Sequence, residues 1–241
     1  MKQSTKQNSN GRYQDQTRIM NKNCIQIVEK AVRRIPCVSL LLTVAAVIIH
    51  FSYSLRVQLL YDRSALAHHK LWRLITCHWV HLSTDHLFWS AATFLVLGSL
   101  CEIMDARKYY AAVALSAIAI PVIIWWGMPD LRIYAGLSGL DCALYSLLMV
   151  LFIRREIRSR SWIWVALFSL LLGGLVAKII YETATGLTIF VANTHTGMTP
   201  VPLAHLVGGC IGFFVGILGP KSDKAAVGIR HKSELPISSS L

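Results

Sequence analysis

Three separate stretches of the sequence carry side chains that together could perform nucleophilic chemistry. Ser138 lies in GLSG (136–139), His205 lies in VPLAHLVGG (201–209), and HWVHLSTDHLFWS (78–90) contains three histidines. A serine hydroxyl is a weak nucleophile at neutral pH, and it becomes reactive when an imidazole accepts its proton. The residue types therefore favour acyl transfer, provided that the fold brings Ser138 and a histidine together.

The neighbours of Ser138 fit the same chemistry. A tetrahedral oxyanion needs preorganised donors, and the free N–H groups at the start of a helix can supply them. Gly136 and Gly139 would let another backbone, such as that of a peptide, approach the serine closely. The alternative interpretation of GLSG is close packing of small residues between membrane helices.

The composition indicates what kind of fold positions these residues. Of the 241 residues, 54% are hydrophobic and only 15% are charged, whereas a soluble domain carries about 25% charged residues. Long apolar runs occupy about 37–56, 79–100, 109–126, 136–153, 161–182 and 200–218. These lengths suit helices that cross a bilayer, so they predict an all-α membrane protein with a bundle of six transmembrane helices over 37–218. The segment 1–36 is predicted to be basic, polar and partly disordered, and 219–241 to be a polar tail.

The lysines and arginines predict the orientation of this bundle. Eighteen of the 24 lie in the terminal segments and in the second and fourth connections, and five lie in the first and third. The positive-inside rule then places both termini in the cytoplasm. Consequently the second, fourth and sixth spans begin at the outer face, where a rise of about 1.5 Å per residue places His86, Ser138 and His205 in one layer. The same distribution argues against nucleic-acid binding, despite a net charge of +12.

No metal or cofactor is expected. The six cysteines are scattered without a C-x-x-C pair, which indicates neither a zinc site nor a disulfide framework. A metal site made of His78, His81 and His86 is an alternative, but no H-E-x-x-H helix supports it.

Three other ionisable residues, Asp141, Lys178 and Glu182, lie within apolar runs. Asp141 follows Ser138 by three positions and so lies near the same helix face. It would orient His205, bind a water molecule or pair with Lys178, and the sequence leaves these roles open. Lys178 and Glu182 are spaced i,i+4 and would otherwise pair with each other. A transport pathway built from these charges is an alternative, although the internal repeats typical of transporters are missing.

Three motifs, in this order, resemble those of the rhomboid intramembrane serine proteases. They are H-x-x-x-x-H at 81–86, G-x-S-G at 136–139 and A-H-x-x-G at 204–208. The resemblance covers the six-span core, about 37–218. Three longer stretches resemble the rhombosortase branch of that family, namely LWRLITCHWVHLSTDHL, AKIIYETATG and VPLAHLVGG.

The resemblance implies roles for individual residues. Ser138 would be the nucleophile and His205 the general base, as a dyad with no obligatory aspartate. His86 would help to stabilise the oxyanion together with the Ser138 N–H, and His81 would be a structural or water-organising histidine.

Two positions depart from the family pattern. Ser90 stands where many rhomboids have asparagine, and Cys142 stands where many have a tyrosine that stacks on the catalytic imidazole. These departures concern the oxyanion site and the support of His205. They keep open the alternative of an inactive rhomboid-like protein that binds membrane clients without cutting them.

The resemblance also implies substrates and a location. The substrates would be membrane-anchored proteins cut near the outer face of the bilayer. For rhombosortases they are secreted bacterial proteins with a C-terminal tail that contains small Gly-rich residues, an apolar span and a basic end. The location would be a bacterial inner membrane with the active site towards the periplasm.

The polar loop 183–199 is a separate expectation from the sequence. It would act as a lid, contact the substrate or simply connect two spans.

Overall fold

A computed structural model of the chain describes residues 35–187 and 201–218. The predicted C-terminal tail (219–241), nearly all of the predicted N-terminal segment (1–36) and most of the loop 183–199 lie outside the described residues. The helices are α1 (Cys37–Phe51), α2 (Tyr53–Leu59), α3 (Arg63–Ala67), α4 (Arg73–Thr76), a 3-10 turn (Cys77–Trp79), α5 (Thr84–Gly127), α6 (Ser138–Ser159), α7 (Trp162–Thr185) and α8 (Pro202–Ile217).

The first predicted span, 37–56, is not one continuous helix. Helix α1 ends at Phe51, and α2 leaves it at an angle of 111°. The break lies at Ser52, which has extended backbone angles and whose side chain accepts a hydrogen bond from Leu55 N at 3.4 Å. Because Ser52 caps the second helix, the chain turns here at the end of the apolar run.

The second and third predicted spans, 79–100 and 109–126, both lie in α5, which is 44 residues long. It begins at Thr84, where the Ser83 hydroxyl accepts from His86 N at 3.2 Å. It is interrupted at Asp105, whose φ of −153° and ψ of 86° are not helical. The Asp105 carboxylate accepts from Lys108 N at 3.3 Å and so caps the second half. The predicted connection between the two spans is therefore a kink.

Two of the described helices, α5 and α7, are long and apolar enough to cross a membrane, and the bent pair α1–α2 is a third candidate. Helix α8 is apolar but has only 16 residues, and α6 ends in a basic stretch that contains Arg154 and Arg155. Six crossings, and the cytoplasmic placement of both termini, stay predictions.

Two short strands join the segments that precede α3 and α6. In the antiparallel pair β1 (Tyr61–Asp62) and β2 (Ile133–Tyr134), Tyr61 lies opposite Tyr134. Arg63, which follows β1, also binds the end of α5, because its Nη2 donates to Trp125 O at 2.8 Å. The segment between α1 and α5 is thereby fixed beside the start of α6.

Helix α6 is the centre of the bundle, and it packs against α5, α7 and α8. Its contact with α8 is the closest, because every fourth residue of α8 on that side is glycine. A Cβ atom at Gly208 would collide with Gly139 O, and one at Gly212 would collide with Ala143 O. At Gly216 it would lie 2.7 Å from Val150 Cγ1. Small residues of this kind let membrane helices bring their backbones into contact.

We expect Gly212→Ala to lower the thermal stability of the protein in detergent. The added methyl group must displace the Ala143 carbonyl, and overpacking of this kind costs roughly 1–3 kcal/mol. Gly174→Ala on α7 is the matched control, since a Cβ there meets nothing within 4 Å and alanine favours the helix. Equal melting temperatures for the two variants would contradict this account of the α6–α8 contact.

Candidate active site

Ser138 is the first residue of α6, and the chain before it is held from two sides. Gly136 N donates to Cys77 O at 3.1 Å, and Leu137 N donates to His81 Nε2 at 3.5 Å. The N–H groups of the first turn of α6 have no intrahelical acceptor, and no side chain of the described residues caps this helix start. Within the described part of the chain, the serine hydroxyl therefore lies beside a set of free backbone donors.

Gly136 is required by its surroundings. Its φ is +123°, in a region that L-residues rarely adopt, and a Cβ atom there would lie 2.6 Å from His86 Cε1. The first glycine of GLSG thus makes room for the His86 ring next to Ser138. Gly139 has a different function, since its missing Cβ makes room for Ile120 Cδ1 and for Ala204 O on α8.

The histidines that precede and begin α5, His81 and His86, form a scaffold beside the start of α6. The His81 and His86 rings lie edge to face with centroids 5.1 Å apart, and His81 is fully buried. His50 on α1 stabilises this arrangement, because its Nδ1 donates to His81 O at 3.1 Å and its Nε2 accepts from Thr84 Oγ1 at 3.2 Å. His50 was not among the sequence-predicted residues, and its only signal was that it is a histidine in an apolar run.

Within the described residues, His78 makes no hydrogen bond to Ser138. Its Nε2 donates to Ala117 O at 3.1 Å, and the residue is fully buried in the 3-10 turn. Burial lowers the pKa of His78 to about 4, so the ring is neutral at physiological pH. It is therefore a packing residue that ties this turn to the middle of α5.

Ser138 and His205 come together across the α6–α8 contact. His205 Nε2 lies 3.1 Å from Ser138 Oγ, and the His205 side chain is 9% exposed. His205 stands one turn before Gly208, the residue that touches Gly139. The glycine contact and the Ser–His pair thus occupy adjacent turns of the same interface.

Helix α7 brings two further side chains to the same place. Glu182 Oε2 lies 2.8 Å from His205 Nδ1, and Glu182 Oε1 lies 2.7 Å from Lys178 Nζ. Glu182 is almost fully buried, with 2% of its side chain exposed. Ser138, His205 and Glu182 therefore form one line of hydrogen bonds. The i,i+4 spacing of Lys178 and Glu182 is visible in the sequence, but the contact of Glu182 with His205 is not.

Asp141 does not join this line. Within residues 35–187 and 201–218 it makes no hydrogen bond to His205 or Lys178, and its buried Oδ1 has no partner. Its polar neighbour is Ser90, which is also buried. Cys142 is buried as well, and in the described part of the chain no aromatic ring stacks on His205.

The described residues contain no cluster of three or more His, Cys, Asp or Glu side chains that could hold a metal ion. The three histidines of the alternative metal set make other contacts. His78 donates to Ala117 O, His81 accepts from Leu137 N, and His86 lies beside Gly136.

The fold and the site define a mostly helical membrane protein in which a half-buried serine at the start of a central helix lies against a buried histidine. The family model for the Rhomboid domain matches residues 68–222. The chain belongs to the rhomboid family, whose members are typically intramembrane serine proteases. No curated protein matches the sequence significantly.

We expect Gly136→Ala to destabilise the protein more than Gly186→Ala does. Both glycines have positive φ, +123° and +68°, but a Cβ at Gly186 meets no atom of the described residues within 4 Å. The left-handed backbone alone costs about 1–2 kcal/mol, and the Gly136 variant must also displace the His86 ring. Thermal unfolding in detergent measures the difference, and a Gly136→Ala melting temperature no lower than that of Gly186→Ala would contradict it.

Proposed function

We propose that this protein is an intramembrane serine endopeptidase in which Ser138 is the nucleophile and His205 is the general base. The observation that carries the proposal is the distance of 3.1 Å between Ser138 Oγ and His205 Nε2. An imidazole nitrogen at this distance can accept the hydroxyl proton as Oγ attacks a peptide carbonyl. The same nitrogen then returns the proton to the leaving amine, and a water molecule hydrolyses the acyl-enzyme by the reverse sequence of steps.

The developing oxyanion would be stabilised at the start of α6. No described side chain caps the N–H groups of the first turn, and their direction along the helix axis favours negative charge. His86 lies against Gly136 and would donate a further hydrogen bond. His81 would act indirectly, because it accepts from Leu137 N and fixes the turn that precedes Ser138.

The proposed substrates are membrane-anchored proteins that enter from the bilayer and are cut near its outer face. The excess of lysine and arginine at the predicted inner side supports this orientation, with six crossings and both termini in the cytoplasm. Within this class, the resemblance to rhombosortases favours secreted bacterial proteins with C-terminal Gly-rich tails, processed at an inner membrane.

We expect a fluorophosphonate probe to label the purified full-length protein in detergent at Ser138. Such probes report an activated serine, so Ser138→Ala and His205→Ala should each abolish labelling while their melting temperatures stay near that of the wild type. Ser146→Ala is the control, because Ser146 is a buried serine on the same helix two turns further on.

Two results would argue against a protease. One is the absence of labelling in a folded wild type with two unrelated serine-reactive probes. The other is labelling that persists without Ser138. Either result would favour the inactive, client-binding rhomboid-like protein.

We expect the protein, reconstituted in vesicles, to release a reporter domain from a tail that contains a Gly-rich segment, an apolar span and a basic end. Replacement of the tail glycines by valine should abolish release, because branched residues hinder the approach of a backbone to Ser138. Mass spectrometry of the released domain identifies the cut bond. Equal cleavage of both tails would argue against the Gly-rich specificity while leaving the protease proposal intact.

A further inference from the structure

We propose that Glu182 is a positioning residue for His205, and that Lys178 in turn holds Glu182. The site would then work as a line of Ser138, His205 and Glu182 instead of a serine–histidine dyad. This inference rests on the proposed function of Ser138 and His205. It adds a role for a carboxylate that comes from α7, a helix that carries neither of those two residues.

The distances determine which nitrogen of His205 carries the proton. An ionised carboxylate can only accept hydrogen bonds, so at 2.8 Å from Glu182 Oε2 the Nδ1 atom of His205 is the donor. The neutral ring has one proton, which leaves a lone pair on Nε2, 3.1 Å from Ser138 Oγ. This is the tautomer that a general base requires.

Among the described residues, Lys178 has one acceptor, and it is Glu182. Lys178 Nζ also lies 3.5 Å from His205 Nδ1, but that nitrogen donates to Glu182 and has no lone pair to offer. The ammonium group therefore binds Oε1 at 2.7 Å and leaves Oε2 directed at the ring. One carboxylate with 2% exposure thus satisfies two donors, and each of its oxygens has a separate partner.

The charges around His205 fit the same assignment. In the part of the chain that the structure describes, the titratable groups that face it are Glu182 and Lys178 from α7 and His86 from α5, with Cys142 of α6 nearby. When His205 accepts the serine proton it becomes a buried cation, and Glu182 is the anion among these neighbours. The carboxylate would therefore stabilise the protonated ring in the transition state as well as orient the neutral one.

The decisive variant is Glu182→Gln, because Lys178 determines which way the new amide turns. The ammonium group needs an acceptor, so it would take the amide oxygen and leave the NH2 group facing His205 Nδ1. That nitrogen must then accept, its proton moves to Nε2, and Ser138 loses its base. Loss of the equivalent carboxylate in soluble serine proteases costs on the order of 10⁴-fold in rate. We expect fluorophosphonate labelling to slow by about 100-fold or more.

A second substitution should partly reverse this loss. In the double variant Lys178→Met/Glu182→Gln the amide has no ammonium group to satisfy, so it can turn its oxygen towards His205 Nδ1. We expect labelling at least about 10-fold faster than in Glu182→Gln alone. A purely structural ion pair predicts the opposite order, since the double variant lacks both charged groups.

Glu102→Gln is the matched control for loss of a carboxylate that accepts hydrogen bonds within the bundle, and Glu102 is half-buried. Glu102 accepts from Val38 N and Ser39 N at 3.1 and 2.9 Å, at the start of α1. The amide variant loses part of this cap and should melt earlier, but its folded fraction should label at the wild-type rate.

The wild type itself supplies a test that needs no variant at position 182. Nitrogen-15 NMR of the full chain with labelled histidines should show the neutral His205 ring protonated at Nδ1, with His205→Gln used to assign its signals. A proton on Nε2 would overturn the role of Glu182. The same conclusion would follow from wild-type labelling rates in folded Glu182→Gln, or from a double variant slower than the single one.

Failure of the underlying proposal has a different signature. In that case the wild type does not label, or labels without Ser138, whatever residue stands at 182. If the wild type labels through Ser138 and Glu182→Gln labels equally fast, the serine–histidine pair stands and the positioning role of Glu182 is wrong.

Discussion

The backbone contact between α6 and α8 is the constraint on which the rest of the site depends. A bilayer supplies no hydrophobic drive between helices, so the helices must associate through close packing and polar contacts. Gly208 and Gly212 on α8 meet Gly139 O and Ala143 O without an intervening Cβ. This close approach of the two helices brings Ser138 Oγ and His205 Nε2 to 3.1 Å from each other.

A second constraint is that the turn before α6 is held by residues that precede α5. The free N–H groups of a helix start are useful to a substrate only if no side chain of the protein caps them, and within residues 35–187 and 201–218 no side chain caps α6. The turn before it is instead held from outside, by Cys77 O and by His81 Nε2. The buried histidines are therefore a means of holding an uncapped helix start in place, at a position where a helix would ordinarily fray.

The sequence predicted the helical class and the residues of the Ser–His pair because both are local signals. Ser138 and His205 stand in short motifs that contain glycines, and apolar runs of bilayer length can be recognised from the sequence alone. The break at Asp105 lies within the predicted connection between the second and third spans, whereas the bend at Ser52 was missed because a cap that interrupts a helix depends on one backbone conformation. The role of Glu182 was missed for another reason, since its contact with His205 depends on how α7 packs.

The comparison of Asp141 with Glu182 shows why spacing along one helix was a poor guide. Asp141 is close to Ser138 in sequence, yet its carboxyl lies beside Ser90 and makes no bond to His205 within the described residues. A residue that supports His205 must approach Nδ1, the side of the ring opposite to Nε2 and therefore away from α6. Since Ser138 occupies the α6 side, the supporting carboxylate has to come from a different helix. Glu182 on α7 meets that condition, with Lys178 satisfying its second oxygen.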